Sequence, residues 1–353
     1  MRRSSVLYSQ PMPEFRYRKH VLKFKKPAGT SRGVLKEKPG YFIEAWEGEQ
    51  LKGVGEFSTI IDLSIDHRED YEEQIKTLID RLNKNQGKLL DHPEEWPSIQ
   101  FGLEMLMRSM KSEDPFALFE TSFLNGKGIA INGLVWMGAF DQMLEEAQSK
   151  GGLGFQCLKF KIGAIDFEKE VEMISRCREA FPDLQIRLDA NGAFSEDDVF
   201  QKLERLSAFS IHSLEQPVKP RQWKLMKELC EKSEISIALD EELIGIFNYK
   251  EKQHLMEVIR PQVLILKPSL LGGFKSCDEW IQLAEQFGSK WWATSALESN
   301  VGLNAIAQWV SQYENKEAQG LGTGQLYLNN INSPLSIQNG YLYFLRNESW
   351  NYF

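Results

Sequence analysis

The sequence has few cysteines, and no two of them form a CxxC pair. The four are far apart along the chain, at Cys157, Cys177, Cys230 and Cys277. This spacing fits neither a zinc site nor a disulfide framework. It predicts buried structural thiols in a protein of the reducing cytoplasm.

Long apolar runs and an excess of positive charge are also missing. No stretch approaches the roughly 20 apolar residues that a membrane helix needs, and the basic start of the chain, up to Pro13, lacks the apolar core of a signal peptide. The net charge is −8 over 353 residues. A nucleic-acid surface concentrates lysine and arginine, so this charge argues against one. We therefore expect a cytoplasmic enzyme that acts on a small molecule, with neither nucleic acid nor membrane as a partner.

The longest regular pattern, from Ile129 to Tyr327, alternates short apolar runs with amphipathic helices. The strand-like runs cover residues 129–132, 157–161, 185–189, 211–215, 235–240, 263–267 and 291–294, with a weaker eighth near 319–321. One helical pattern follows the N-cap candidate Asp166, and another is expected to begin at Ser195. Strand–helix repetition of this kind makes a parallel sheet, and about eight units predict an α/β fold with a closed (β/α)8-type barrel. Periodicity alone also allows an open doubly wound sheet, but no GxGxxG motif supports a dinucleotide-binding version.

The chain on either side of this pattern reads differently. Residues 1–128 contain strand-like segments (15–24, 41–47 and 53–57) followed by helical ones (71–82 and 98–110), which indicates an α+β domain before a barrel of residues 129–327. Within it, Lys25 to Gly33 is rich in turn-forming residues and is expected to be a loop. The aromatic tail, residues 328–353, is expected to pack back on the first domain.

Polar and ionisable residues recur where the predicted barrel strands end. They are Lys161, Asp189, Glu215, Asp240, Lys267 and Ser295, at intervals of 25 to 28 residues. Each interval is about one strand–helix unit, so all six are expected at the C-terminal rim, where barrel enzymes keep their active sites. A single such residue could be a solvated strand end, but six in register indicate a functional site.

Three of these residues are carboxylates on consecutive strands, Asp189, Glu215 and Asp240. They would repel one another without a cation, and oxygen-only ligands favour a hard ion such as Mg²⁺, or Mn²⁺ in its place. Lys161 and Lys267 flank them, and Lys159 lies on the same side of its strand as Lys161. A nearby ammonium group and a divalent ion make Lys161 a credible general base. The alternative interpretation is a set of surface lysines whose stems lie along the barrel.

These residues carry a resemblance to a known family. Lys159-Phe160-Lys161 resembles the KxK motif of the muconate-lactonising subgroup of the enolase superfamily. Its three metal-ligand motifs are similar to residues 188–192, 214–217 and 239–241, and its opposite-face lysine to Lys267 before Pro268. The resemblance implies Mg²⁺ on Asp189, Glu215 and Asp240, a barrel covered by a capping domain built from both chain termini, and supporting roles for Asn191 and Glu241.

Two further segments indicate which substrate the site would bind. Thr294 to Leu303 resembles the SS-x-x-ES-x-x-GL stretch of o-succinylbenzoate synthases and their racemase relatives, with Thr294 in place of the first serine. This resemblance predicts that Ser295, Glu298 and Ser299 bind the substrate, although both serines could equally cap the following helix. Thr30, Ser31 and Arg32 lie in a segment that could close over the site, where an arginine would pair with a carboxylate.

The resemblance thus implies a carbon–oxygen lyase of menaquinone biosynthesis. It would dehydrate 2-succinyl-6-hydroxy-2,4-cyclohexadiene-1-carboxylate by removing the proton next to a carboxylate. Two alternatives stay within the superfamily: an N-succinylamino acid racemase and a dipeptide epimerase. The epimerase is less favoured, since residues 320–324 carry no acid where epimerases have one. A metal-free Schiff-base lysine aldolase is the alternative from another class, and a barrel that only binds a ligand is a further one.

Overall fold

The structure, a computed structural model, describes residues 13–30 and 33–352. An antiparallel sheet of β1 (Glu14–Thr30), β2 (Gly33–Glu47) and β3 (Gln50–Ser58) comes first. It is followed by α1 (Tyr71–Asn83) and α2 (Pro97–Ser109). Ile75 and Leu78 of α1 and Ile99 of α2 bury their side chains against Ile43 and Phe57 of the sheet. These five elements form an α+β layer, which we name the capping layer.

The prediction of a loop over residues 25–33 was wrong for its described part. β1 continues to Thr30, and its end pairs with the start of β2, where Ala28 lies opposite Leu35 and Thr30 opposite Gly33. The register shifts between Lys23 and Ala28, so the turn-forming residue Pro27 lies in an irregularity of the ladder. A bulge accommodates proline because the extra residue need not donate a ladder hydrogen bond.

The second part of the chain contains the predicted barrel, which the structure confirms. After β4 (Ile129–Ala130) the strands are β5 (Gly133–Val135), β6 (Cys157–Lys161), β7 (Gln185–Asp189), β8 (Ser213–Glu215), β9 (Ser236–Leu239), β10 (Val263–Leu266) and β11 (Lys290–Ala293). All neighbours from β5 to β11 pair in parallel. Gln319 and Gly320 supply the eighth strand, bridging to Ile131 on one side and Thr294 on the other. The sheet therefore closes on itself, which excludes the open doubly wound alternative.

Helices connect the barrel strands. They are α3 (Phe140–Gly152), α4 (Phe167–Ala180), α5 (Val199–Ser207), α6 (Trp223–Lys232), α7 (Tyr249–Ile259), the short α8 (Pro268–Leu271), α9 (Phe274–Phe287) and α10 (Asn300–Val310). As predicted, Asp166 caps α4 by accepting from the Lys169 amide. α5 itself begins at Val199, four residues after the predicted start, but Asp198 accepts from the Ser195 amide as in a capping box.

Alternation along the strands decides which side chains enter the barrel. In β7, Ile186 and Leu188 are buried in the main core, while Arg187 and Asp189 lie on the opposite side, the side of the barrel interior. Deep inside, the Arg187 guanidinium stacks 3.5 Å from the ring centre of Trp292 and donates to the Ala318 carbonyl at 2.6 Å. This stacked pair fills the lower interior, so the ionisable strand ends lie above a packed floor.

The C-terminal segment contacts both the strand that leads into the barrel and the capping layer. β12 (Leu335–Gln338) and β13 (Tyr341–Phe344) form a small sheet with β4. Trp350 stacks on Phe116 with ring centres 4.1 Å apart, and the Tyr352 hydroxyl donates to Glu44 of β2 at 2.7 Å. Within the capping layer, glycine lets α2 pack closely on β3, because a Cβ on Gly55 would lie 2.1 Å from the carbonyl oxygen of Gly102. The limits of the three predicted domains remain a prediction. In the described ranges no helix has the length and apolar character to span a membrane.

Candidate active site

The predicted site residues come together because the ends of neighbouring parallel strands share one rim. Lys161 is the register partner of Asp189, and Asp189 is the partner of Glu215. Asp240 lies two residues beyond Ala238, the partner of Glu215, and so faces the same interior. Lys267 directly follows β10. All three carboxylates are buried.

Lys159 lies at the centre of this group. Its ammonium nitrogen is 2.7 Å from Oε1 and 2.6 Å from Oε2 of Glu215, and 2.9 Å from Oδ2 of Asp189. Its side chain is buried on the barrel side of β6. One ammonium group therefore bridges two carboxylates and shields them from each other.

Lys161 and Lys267 contact the row of three carboxylates at its two ends. The Lys161 ammonium lies 2.9 Å from Oδ2 of Asp189 and 2.6 Å from the side-chain oxygen of Asn191. Lys267 donates to Oδ2 of Asp240, the last of the three carboxylates. The two lysines thus stand on opposite sides of the carboxylate row, which places two proton-carrying groups around one common space.

Asn191 and Glu241 support this geometry. The Asn191 amide nitrogen donates to Oε1 of Glu241 at 2.9 Å, while its oxygen holds Lys161. Asn191 has φ of 46°, a left-handed conformation that asparagine tolerates better than most residues. In this conformation its backbone amide donates to Oδ1 of Asp189. One side chain therefore links the first strand end of the site to the turn after β9.

The sequence reasoning missed Gln216 as a supporting residue. Its side-chain oxygen accepts from the backbone amides of Asp240, at 3.2 Å, and Glu242, at 3.1 Å. Gln216 also has positive φ, 40°, directly after Glu215. It fixes the turn that presents Asp240. Its position inside the Glu215-Gln216-Pro217 motif was the signal that could have identified it.

The charges of the site are unevenly balanced. Burial, and then the neighbouring carboxylate of Asp189, raise the pKa of Glu215 to about 8. Burial also raises the pKa of Asp189, but the ammonium groups of Lys159 and Lys161 outweigh it and hold the pKa below its ordinary value. Burial lowers the pKa of Lys267, yet Asp240 keeps it above its ordinary value. Burial beside like charges therefore disfavours the ionised form of Glu215, and a further positive charge would relieve this cost.

The donor set fits a hard divalent cation. Within residues 13–30 and 33–352, no three His, Cys, Asp or Glu side chains are already gathered as a metal-binding cluster. Asp189, Glu215 and Asp240 instead share the three lysine ammonium groups. Their oxygens are the ligand type that Mg²⁺ prefers, and the charge imbalance at Glu215 is one that such an ion would relieve.

The predicted substrate-binding residues after β11 are buried in a hydrogen-bond network. The Ser295 and Ser269 hydroxyls each donate to Glu298 at 2.6 Å. The Ser299 hydroxyl donates to Glu56 of β3 at 2.6 Å and accepts from the Val301 amide, which makes Ser299 the N-cap of α10. The hydroxyl protons of Ser295 and Ser299 are thus donated to carboxylates of the protein. Contact of Ser295, Glu298 or Ser299 with a substrate remains a prediction.

The second predicted substrate segment is only partly described. Thr30 ends β1, and its backbone pairs with Gly33. Ser31 and Arg32 lie outside the described residues. The role of this segment in substrate binding remains a prediction.

Comparisons with known proteins agree with this geometry. The Enolase C-terminal domain-like family matches residues 142–347. An o-succinylbenzoate synthase from Desulfotalea psychrophila is 42% identical, with 93% of this chain and 98% of that protein covered. An o-succinylbenzoate synthase from Pasteurella multocida is 26% identical, with 82% of each chain covered.

Solved structures show the same architecture. The crystal structure of MenC from Desulfotalea psychrophila superimposes with a TM-score of 0.79 at 38% identity, over 94% of this chain and 99% of that one. A dipeptide epimerase from Enterococcus faecalis, complexed with Mg and the dipeptide L-Leu-L-Tyr, gives 0.77 at 19% identity, over 94% and 97%; this likeness concerns the fold alone. The strand-end carboxylates and lysines, the family match and these relatives together show that the chain belongs to the enolase superfamily and, within it, to the family of the o-succinylbenzoate synthases.

Proposed function

We propose that this protein is a Mg²⁺-dependent carbon–oxygen lyase. It converts 2-succinyl-6-hydroxy-2,4-cyclohexadiene-1-carboxylate into o-succinylbenzoate and water, a step of menaquinone biosynthesis in the cytoplasm. The observation that carries the proposal is the placement of Lys161 and Lys267 on opposite sides of one carboxylate row. The relative from Desulfotalea psychrophila supports the choice of substrate.

In the proposed reaction, Lys161 in its neutral form takes the proton from the ring carbon that bears the carboxylate. The electron pair of that C–H bond forms the new ring double bond as the C–O bond to the hydroxyl group breaks. Protonated Lys161 returns its proton to the departing oxygen, which leaves as water, and the ring becomes aromatic. General acid–base catalysis of this kind contributes about 10²- to 10⁴-fold to a rate.

The other residues hold and balance charge. Asp189, Glu215 and Asp240 would hold Mg²⁺, which when bound supplies positive charge for the negative charge that develops on the substrate carboxylate. Lys267, on the opposite side from Lys161, stabilises the same charge with its ammonium group. Asn191 keeps Lys161 in place through its 2.6 Å contact.

The experiment that tests the proposal follows loss of the cyclohexadiene absorbance as o-succinylbenzoate forms. Purified protein is assayed with Mg²⁺ and then with excess EDTA. Turnover that stops on chelation and returns with added Mg²⁺ supports both substrate and metal. Absence of turnover in folded, Mg²⁺-supplied protein contradicts the substrate assignment.

Racemisation of N-succinylamino acids is the second candidate activity. A racemase needs a proton-carrying group on each face of the substrate carbon, and the opposed lysines provide this arrangement. Exchange of the α-hydrogen of N-succinylamino acids with solvent deuterium tests it. A Schiff-base aldolase would instead be trapped by borohydride with a carbonyl substrate and would be indifferent to EDTA.

A further inference from the structure

A lysine of the capping layer reaches the barrel loop that follows β11. Lys38 of β2 donates from its ammonium group to the carbonyl oxygens of Ala296, at 2.8 Å, and Leu297, at 2.9 Å. Its third hydrogen bond goes to the Ser58 hydroxyl, at 2.7 Å, within the capping layer. Lys38 is only 3% exposed, and among the described residues no carboxylate forms an ion pair with it, which is rare for a buried lysine. We name residues 294–299 the β11 loop.

The backbone that Lys38 holds is strained. Leu297 has φ of 66°, a left-handed conformation that costs a bulky L-residue free energy. Its carbonyl oxygen accepts from two groups, the Lys38 ammonium and, at 2.7 Å, the Tyr327 hydroxyl. Strained residues persist where surrounding contacts hold them, and here both contacts come from outside the barrel loop itself.

The β11 loop borders the site of the proposed reaction. The Thr294 amide donates to the carbonyl of Leu266, the residue before Lys267. Glu298 accepts from Ser295 in the loop and from Ser269, two residues after Lys267. A change of the loop backbone would therefore alter the wall of the active site next to Lys267, on the side opposite Lys161.

The carboxyl groups around Lys38 partly offset the cost of burying its ammonium group. Burial lowers the pKa of Lys38, and the buried side chains of Glu298 and Glu56 nearby oppose that shift. Glu56 is itself bound to the β11 loop through the Ser299 amide at 2.8 Å, and to the Gly302 amide at 2.8 Å. The capping layer thus contacts the β11 loop through one basic and one acidic side chain. Lys38 binds the loop at positions 296 and 297, and Glu56 binds it at position 299.

We propose that Lys38 is a positioning residue that clamps the β11 loop in its strained conformation and thereby fixes the substrate-binding wall beside Lys267. The inference rests on the proposed function for its kinetic consequence, but the clamp itself is a property of the fold. It assigns a role in substrate binding to a residue of the capping layer that touches neither the carboxylate row nor the catalytic lysines.

The test compares four variants of the full chain. Lys38→Met keeps the length of the side chain and removes the hydrogen bonds. Ser58→Ala is the matched control, since it removes the one Lys38 hydrogen bond that does not reach the loop. Leu297→Gly removes the strain, because glycine adopts positive φ freely, and the double variant Lys38→Met with Leu297→Gly tests whether the clamp acts through that strain.

The first readout is hydrogen–deuterium exchange of the peptide that spans residues 294–300, which requires no substrate. We expect exchange to accelerate in Lys38→Met and to stay unchanged in Ser58→Ala. The second readout is kinetic: KM for the cyclohexadiene substrate should rise about tenfold in Lys38→Met, the effect of losing a hydrogen bond to a charged group. kcat should change by less than about threefold, since general acid–base catalysis by Lys161 is untouched. In the Leu297→Gly background the same lysine substitution should have a much smaller effect on both readouts.

Two results would overturn the proposal: unchanged exchange of the β11 loop in folded Lys38→Met, or an equally large effect of Lys38→Met with and without leucine at 297. If Lys38→Met does not fold, Tyr327→Phe removes the other hydrogen bond to the Leu297 carbonyl, and unchanged loop exchange in that variant contradicts the clamp. If the wild-type protein does not turn over the substrate, the proposed function fails, while the exchange experiment still decides whether Lys38 holds the loop.

Discussion

The Lys159 ammonium contacts both carboxylate oxygens of Glu215, at 2.7 and 2.6 Å, inside the mouth of the barrel. The same ammonium group reaches Asp189 at 2.9 Å. A single buried lysine therefore compensates two buried carboxylates, and its effect on stability should depend on whether a divalent cation shares that task. This dependence gives a test of the metal site that needs no substrate.

Lys159→Met should destabilise the protein strongly when no divalent ion is present. Removing one partner of a buried ion pair leaves an uncompensated charge, which costs about 3 to 5 kcal/mol. Mg²⁺ bound by the same carboxylates should recover much of this loss, since its charge replaces that of the lysine. Thermal unfolding in EDTA and in Mg²⁺ measures the effect: the Mg²⁺-induced rise in Tm should be larger in the variant than in the wild type.

Lys252→Met is the matched control for this prediction. Lys252 is also fully buried and paired, with Glu279 at 2.8 Å, but it links α7 to α9 away from the rim. Its loss should lower Tm equally with and without Mg²⁺. An equal Mg²⁺ response in both variants would contradict a metal site at Asp189 and Glu215.

Lys161→Ala should abolish dehydration while the protein still binds Mg²⁺. We expect a fall in kcat of at least about 100-fold, because the proposed base is removed and no other described lysine contacts both Asp189 and Asn191. The measurement is the rate of o-succinylbenzoate formation, with the Mg²⁺-induced rise in Tm as evidence of an intact site. Activity within tenfold of the wild type would show that Lys161 is not the base.

The spacing of the strand ends predicted much of this site from the sequence. One strand–helix unit takes a nearly constant number of residues, so Lys161, Asp189 and Glu215 had to meet once the barrel was recognised, and the register pairs them directly. The lysine contacts followed for the same reason, since Lys159 and Lys161 face the interior together.

Contacts between distant parts of the chain could not be predicted in this way. Lys38 and the Leu297 carbonyl are 259 residues apart, and no periodic pattern relates them. The stack of Arg187 on Trp292 is likewise a tertiary contact. The extension of β1 to Thr30 was missed because turn-forming residues indicate a loop, whereas pairing with β2 keeps them in an irregular ladder. Tertiary packing overrides local preference at these positions.

Asn191→Gly should lower kcat by about tenfold through loss of the side chain that holds Lys161, since the contact is a hydrogen bond to a charged group. Glycine accepts the positive φ of this position, so the turn itself should persist. Asn85→Gly is the matched control: Asn85 also has positive φ, 51°, but lies in an exposed turn after α1. Steady-state kinetics of both variants decide the matter, and equal kcat values in the two would remove Asn191 from the supporting residues.

A buried carboxyl group in the capping layer should make stability depend on pH. Asp66 is fully buried and accepts from the Ser98 amide at 2.8 Å and the Ser98 hydroxyl at 2.6 Å, at the start of α2. Burial raises the pKa of Asp66 to about 6, although the hydrogen bonds from Ser98 oppose this shift. The folded state therefore binds this proton more tightly than the unfolded chain, in which the pKa is about 4.

The sign of the pH effect follows from this difference. The stabilising contribution of protonated Asp66 is complete below about pH 4, is lost as the pH rises through about 6, and stays lost above that, for a total on the order of 3 kcal/mol. Asp66→Asn keeps an oxygen to accept from Ser98 but has no proton to lose. Urea unfolding of both proteins between pH 4 and pH 7 should thus show the free energy of unfolding of the wild type falling relative to that of the variant. Parallel pH profiles would mean that Asp66 titrates in the folded protein as it does in the unfolded chain.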